Sequence, residues 1–299
     1  MRTEVIISDF DRLPLSVAYS EPEGQPQGIV QISHGMAEHK ERYYPFMEYL
    51  SSNGYICVIH DHRGHGGSVR SEKDYGFFYT EKTEGIINDL HQVSERASAL
   101  YPGLPVYLFA HSMGTLVARN FMKKFDSDIS KVILCGPPTR NSAAGLGLLL
   151  ARFTGSRRWS KEPNHSLNKM AFSNFNKGFS KPNEWLSVNP DNVDRYNNDQ
   201  LCGFTFTTNG FINLLKLQKE AFRSSDWHPR NTELPIFLIA GKDDPVIISA
   251  KKFKELADFL NGVGYTNVTC RLYGSMRHEI LNESDNLTVF DDIADFLRR

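Results

Sequence analysis

Residues 105–109 read Pro-Val-Tyr-Leu-Phe, residues 115–125 read TLVARNFMKKF, and Ala110-His111-Ser112-Met113-Gly114 stands between them. The first run, β-branched and aromatic, predicts a buried strand, and the second predicts a helix. A turn this short between them is the strand-to-helix step of an α/β fold. A serine at its apex projects the hydroxyl away from the sheet. The first N–H groups of the helix lack intrahelical partners and are free to face an anion. The pattern G-x-S-x-G describes such a nucleophile elbow. Here Ala110, the least bulky replacement, stands at the first glycine.

The rest of the chain supplies the sheet for that step. Strands are predicted at 4–8, 15–20, 28–33, 56–60, 106–110, 132–135, 236–240 and 268–273, and helices at 43–52, 83–100, 115–125, 249–260 and 285–298. Thr83 is placed at a helix cap, and Tyr101-Pro102-Gly103 stops that helix. Alternation of this kind predicts an α/β fold, a mostly parallel eight-stranded sheet with helices on both faces. The first two strands form an antiparallel edge hairpin in this reading. The functional loops lie at the carboxyl ends of the parallel strands. The rhythm breaks over 139–230, a segment rich in Asn, Ser, Phe and Trp, with helical pieces at 167–175 and 211–223. The expected organisation is a core of 1–138 and 231–299 with an inserted cap of 139–230. Most aromatics of the cap are expected to form its own small core, with a few lining a pocket.

Bulk properties exclude some classes. Thirty-four Lys and Arg against 35 Asp and Glu leave a formal charge of −1, with no basic stripe to meet nucleic acid. The N-terminus breaks its apolar residues with acids and a proline, unlike a signal peptide. No run approaches the roughly 18 uncharged apolar residues of a membrane span, and the most apolar stretch outside the strands, 143–151, is short and contains glycines. Of the four cysteines, Cys57, Cys135 and Cys270 fall in predicted strands, where a reduced Cys packs as a small apolar residue; Cys202 does not, and no pair has zinc-ligand spacing. The expected setting is cytoplasmic, with transient contact to a membrane surface left open.

A serine at an elbow needs a base, and the base needs an orienting acid. Strand 236–240 ends in Gly-Lys-Asp243-Asp244-Pro, and strand 268–273 ends in Gly-Ser-Met-Arg-His278-Glu. The order Ser112, Asp244, His278 is that of an α/β-hydrolase triad. Asp243 and Asp244 compete for the acid role; Pro245 fixes the backbone beside Asp244, which is favoured. The competing reading is that both acids cap the helix near Ser249 or fold the turn. Met113 after the serine supplies one oxyanion N–H. The turn His34-Gly35-Met36 after strand 28–33 supplies the second, assigned to Met36. The run His60-Asp61-His62-Arg63-Gly64-His65 resembles a metal-ligand cluster. It lacks the acid before its third histidine and a second ligand set, so it is read as a structural loop, with no metal and no cofactor. His111 is read as structural too, because neighbours on an elbow face apart.

Taken together, HGMAEHKERY at 34–43, DHRGHGGS at 61–68, AHSMG at 110–114, GKDDPV at 241–246 and YGSMRHEILNE at 273–283 resemble the monoacylglycerol lipase and lysophospholipase branch of the α/β-hydrolases, which includes serine aminopeptidase-like enzymes. The resemblance spans 28–140 and 234–299 and leaves out the cap. It implies Ser112 as nucleophile, Asp244 as acid, His278 as base and Met36 and Met113 as oxyanion donors, with a structural role for 61–68. It also implies a small-molecule ester with an acyl chain as substrate. The alternatives are an aminopeptidase or amidase on the same triad, a non-catalytic binding protein of this fold, and a metal-dependent hydrolase.

Overall fold

A computed structural model of the chain describes residues 1–140, 159–172 and 175–299. The apolar stretch 143–151 and residues 173–174 of the expected helical piece lie outside the described residues. Eight strands, β1 (Arg2–Ile7), β2 (Pro14–Ser20), β3 (Gly28–Ser33), β4 (Tyr55–His60), β5 (Val106–His111), β6 (Lys131–Cys135), β7 (Ile236–Gly241) and β8 (Val268–Tyr273), form one sheet in the order β1-β2-β4-β3-β5-β6-β7-β8. β1 pairs antiparallel with β2, and β2 with β4; every other pairing is parallel. The helices are α1 (Tyr44–Ser52), α2 (Glu84–Leu100), α3 (Met113–Phe125), α4 (His165–Phe172), α5 (Pro190–Asn198), α6 (Thr208–Ala221), α7 (Ala250–Gly262) and α8 (Asn286–Arg298).

Strands buried on both faces read as unbroken apolar runs, and their alternate residues separate into two cores. From β5, Val106, Leu108 and Ala110 join the core under α2, α3 and α7, while Tyr107 and Phe109 join the core under α1 and α8. Ala110 is thus a fully buried sheet residue on the α3 side, where a methyl group is accommodated. Gly114 has no such latitude. A Cβ there would lie 2.1 Å from the Ser33 carbonyl oxygen and 2.7 Å from that of His34, because the start of α3 rests on the end of β3.

Four sequence expectations are corrected or refined. Cys270 is exposed, because β8 is the edge of the sheet and only Tyr273 in it is buried; Cys57, Cys135 and Cys202 are buried. Thr83 stands at the cap of α2 as expected, but its side chain does not bond the helix end; its hydroxyl donates instead to Glu220 of α6 at 2.7 Å. Helix α5 was not expected; Asn189 caps it by accepting from the Asp191 N–H, with Pro190 at its first position. The aromatics between β6 and β7 do not mainly form a core of their own. Phe206, Phe211 and Trp227 are buried in the main core, and Phe172, Phe204 and Phe222 pack against it.

The histidine-rich loop after β4 is a brace. Asp61 accepts from the Lys40 N–H and the Gly67 N–H, each at 2.8 Å, and pairs with the Lys40 ammonium. The buried Arg63 guanidinium donates to Asp89 of α2 at 2.8 Å and to Asp11 at 2.9 Å. His60, His62 and His65, with His34 from the loop after β3, form a fully buried group of imidazoles, His34 and His62 having ring centres 4.4 Å apart. His62 Nε2 lies 3.0 Å from the Ser33 hydroxyl, and His65 Nε2 accepts from the Ala37 N–H at 3.2 Å, while neither ring nitrogen of His60 has a hydrogen-bond partner among the described residues. Burial opposes their charged forms, lowering His60 to about 3, His65 to about 4, and His34 and His62 well below the ordinary value.

Two outcomes follow from this packing. Gly114→Ala costs on the order of 3 kcal/mol in urea unfolding, since backbone on both sides resists the added methyl, whereas Ala110→Gly costs about 0.5–1 kcal/mol. An unfolded chain takes up protons on these four histidines near the ordinary imidazole pKa, about 6.5, and the folded chain does not. The unfolded state therefore binds more protons below about pH 6.5, and stability falls as pH drops. Unfolding free energies measured from pH 7 to pH 5 show this decline, and His60→Leu flattens it by roughly 1.4 kcal/mol per pH unit below about pH 6.

Candidate active site

The end of β5 turns into α3 through Ser112, whose φ of 51° and ψ of −119° lie where side chains are rarely tolerated. The surroundings impose this conformation. The Ser112 N–H continues the β5–β6 ladder to the Cys135 carbonyl at 2.9 Å, and its own carbonyl accepts from the Thr115 N–H at 2.9 Å and the Thr115 hydroxyl at 2.7 Å. The hydroxyl is left pointing out of the turn, 2.8 Å from His278 Nε2.

His278, in the loop after β8, is buried and places Nδ1 2.9 Å from Asp244 Oδ2. A carboxylate only accepts, so this contact puts the proton on Nδ1 and leaves Nε2 to accept from Ser112. Asp244 serves capping as well, its other oxygen accepting from the Val246 N–H at 2.8 Å. Asp243 is exposed, and its N–H donates to the Met276 carbonyl at 3.0 Å. Met36, in the loop after β3, and Met113, the first residue of α3, border the same cavity as Ser112.

Behind these residues lies a charge network that sequence reading did not find. The largely buried Arg42 donates to both oxygens of Glu279 at 2.6 and 2.7 Å, to Glu38 at 2.9 Å and to Asn192 of α5 at 3.2 Å. Glu38 also accepts from the Tyr43 hydroxyl at 2.9 Å, and lies 3.2 Å from His111 Nδ1. Burial opposes ionisation of Glu38; the His111 hydrogen bond and the Arg42 charge outweigh it and hold the carboxyl well below the usual range. Burial likewise opposes the charge of Glu279, and the Arg42 charge and hydrogen bond bring its pKa down. His111 does not meet Ser112. Its burial is outweighed by Glu38, which raises its pKa, and its Nε2 lies 3.3 Å from the His278 carbonyl oxygen. The spacing of Glu38 and Arg42, one helical turn apart, is the single local signal for this network; Glu279 is distant in sequence.

Above Ser112 and His278 opens a cavity of about 710 Å³. Leu167, Phe172, Phe175, Leu214, Leu215 and Ile248 make most of its wall apolar, and Trp185 sits with its ring 5.3 Å from that of His278. Among the described residues, its acids are Glu38 and Glu279, both engaged by Arg42. Among the described residues, the metal-compatible cluster is His39, Asp199 and Cys202, not the histidine run. There His39 already joins the Glu41 and Asp199 carboxylates through its two ring nitrogens, so the cluster is an ion-paired junction. No helix among the described residues is long and apolar enough to cross a membrane.

A family model described as serine aminopeptidase, S33, matches residues 24–285. A monoglyceride lipase homolog of Monkeypox virus is 26% identical over 280 residues, covering 90% of this chain and 88% of that protein. Monoglyceride lipase of Rattus norvegicus is 30% identical over 230 residues, covering 76% of this chain and 68% of its own. A thermostable carboxyl esterase from Bacillus coagulans, solved in complex with glycerol, superposes with a TM-score of 0.89 at 25% identity, covering 99% of this chain and 97% of that one. The chain belongs to the serine aminopeptidase S33 family of α/β-hydrolases.

Proposed function

We propose that this α/β-hydrolase cleaves carboxylic esters through an acyl-enzyme on Ser112, and that its substrates are acylglycerols or lysophospholipids with an apolar acyl chain. The observation that carries the reading is the hydrogen-bonded series Ser112–His278–Asp244 at the floor of a large apolar cavity. His278 takes the Ser112 proton as the oxygen attacks the ester carbonyl, and returns it to the leaving alcohol; water then repeats the sequence on the acyl-enzyme. Asp244 holds the imidazole tautomer and offsets the charge it gains. The oxyanion is received by the N–H groups of Met36 and Met113.

The segment 139–230, inserted between the core segments 1–138 and 231–299, acts as the cap over this site and contributes, with core residues such as Ile248, to the wall for the acyl group. The monoglyceride lipases and the esterase among the relatives support the ester class. An aminopeptidase requires a carboxylate to receive the substrate ammonium, and the two acids that line the cavity among the described residues are committed to Arg42.

Ser112→Ala abolishes turnover of p-nitrophenyl butyrate and of a monoacylglycerol, followed by absorbance and by released fatty acid. Asp244→Asn lowers kcat by about 10,000-fold through loss of the correct tautomer, and Asp243→Asn stays within about twofold of the parent. Aminoacyl-naphthylamides are not cleaved; their cleavage at rates matching the esters overturns the ester assignment.

A further inference from the structure

We propose that His34 is a positioning residue for this reaction, holding the Gly35–Met36 peptide so that the Met36 N–H faces the oxyanion. The inference rests on the assignment of Ser112 and Met36 made above.

His34 is fully buried at the end of β3 and touches backbone on both sides of its ring. Nδ1 lies 2.8 Å from the Gly35 carbonyl oxygen, and Nε2 lies 2.8 Å from the His62 nitrogen. A carbonyl only accepts and a backbone N–H only donates, so the ring is the neutral Nδ1–H tautomer. Burial, reinforced by the neighbouring His65, keeps it unprotonated.

The consequence passes through one rigid unit. The C=O of Gly35 and the N–H of Met36 belong to the same planar trans peptide and point in opposite directions. With the carbonyl turned inward onto His34, the N–H is turned outward. Outward is the cavity, which Gly35 and Met36 border together with Ser112. The neighbouring donors are already committed: the Gly35 N–H goes to Glu38 Oε1 at 2.5 Å, and the Ala37 N–H to His65 at 3.2 Å.

Such a restraint answers a local need. A Cβ at residue 35 would lie 2.4 Å from Glu38 Oε1 and 3.2 Å from the Ser112 Cβ, so any larger residue would displace the Glu38 carboxylate from its bonds. Glycine leaves the next peptide free to rotate. Among the described residues, His34 Nδ1 is the hydrogen-bond partner of the Gly35 carbonyl, so it is the contact that sets which way that peptide faces.

Three substitutions separate the two ring contacts. Asn at 34 retains a donor near the Nδ1 position, Gln retains an acceptor near the Nε2 position, and Leu retains neither. For p-nitrophenyl butyrate, His34→Gln and His34→Leu lose about 100-fold in kcat with KM within about threefold, while His34→Asn recovers at least about tenfold of that loss. Affinity for a trifluoromethyl ketone, which presents an oxyanion in its Ser112 adduct, falls by a similar factor in the Gln and Leu variants. Melting temperatures are measured alongside, and if the Leu variant does not fold, the Asn-to-Gln ratio decides. Parent-like kcat in the Gln variant overturns the proposal. So does an equal loss in the Asn and Gln variants, which marks a merely structural role. Turnover by Ser112→Ala instead overturns the underlying reading, whatever residue 34 does.

Discussion

The site depends on one guanidinium. Arg42 sits between two buried carboxylates that would otherwise repel each other, Glu38 in the loop after β3 and Glu279 beside His278. The first belongs to the segment bearing Met36, and the second adjoins the imidazole that meets Ser112. Taking three charges out of water is costly, and their attraction offsets the cost only with close geometry and further hydrogen bonds. Asn192 supplies such bonds, donating to Glu279 at 2.7 Å while accepting from Arg42, and the Tyr196 ring lies 4.9 Å from the guanidinium. The same cation that holds two core loops together is therefore completed by α5.

The framework was legible because its signals are local. Strands buried on both faces are continuous apolar runs, and β3 and β8 lie at their expected limits. The hydrogen-bonded series Ser112–His278–Asp244 was legible for a related reason, since each member follows the carboxyl end of a strand. Proximity that comes only from folding was not legible. Arg42 meets Glu279 across 237 residues, and neither side chain marks its partner in sequence. The Asn189-Pro190 pair was a usable helix start, but it lay in a segment without apolar periodicity. Cys270 could not be separated from Cys57 and Cys135, because an edge strand is defined by a missing neighbour and not by its own residues.

Alternative readings of the same residues also proved compatible. Asp244 caps a turn and orients His278, one oxygen for each task. The histidine run looked like a ligand set because imidazoles are compact polar groups with two faces. Here the rings of His62 and His65, together with that of His34, bind backbone and hydroxyl groups of adjoining loops at the ends of β3 and β4.

Ala37 follows Met36 directly, and its carbonyl receives both the Tyr196 hydroxyl at 3.0 Å and the Gly203 N–H at 2.9 Å. Tyr196 and Gly203, both between β6 and β7, are thereby fastened one residue from Met36, the proposed oxyanion donor. Thermodynamic linkage makes any coupling through this attachment reciprocal: to the extent that docking of that segment favours one arrangement of the Met36 loop, that arrangement favours the docking by the same factor. Where the docking is driven by the tail of a substrate, recognition of that tail and readiness to react with its carbonyl are two readouts of one equilibrium.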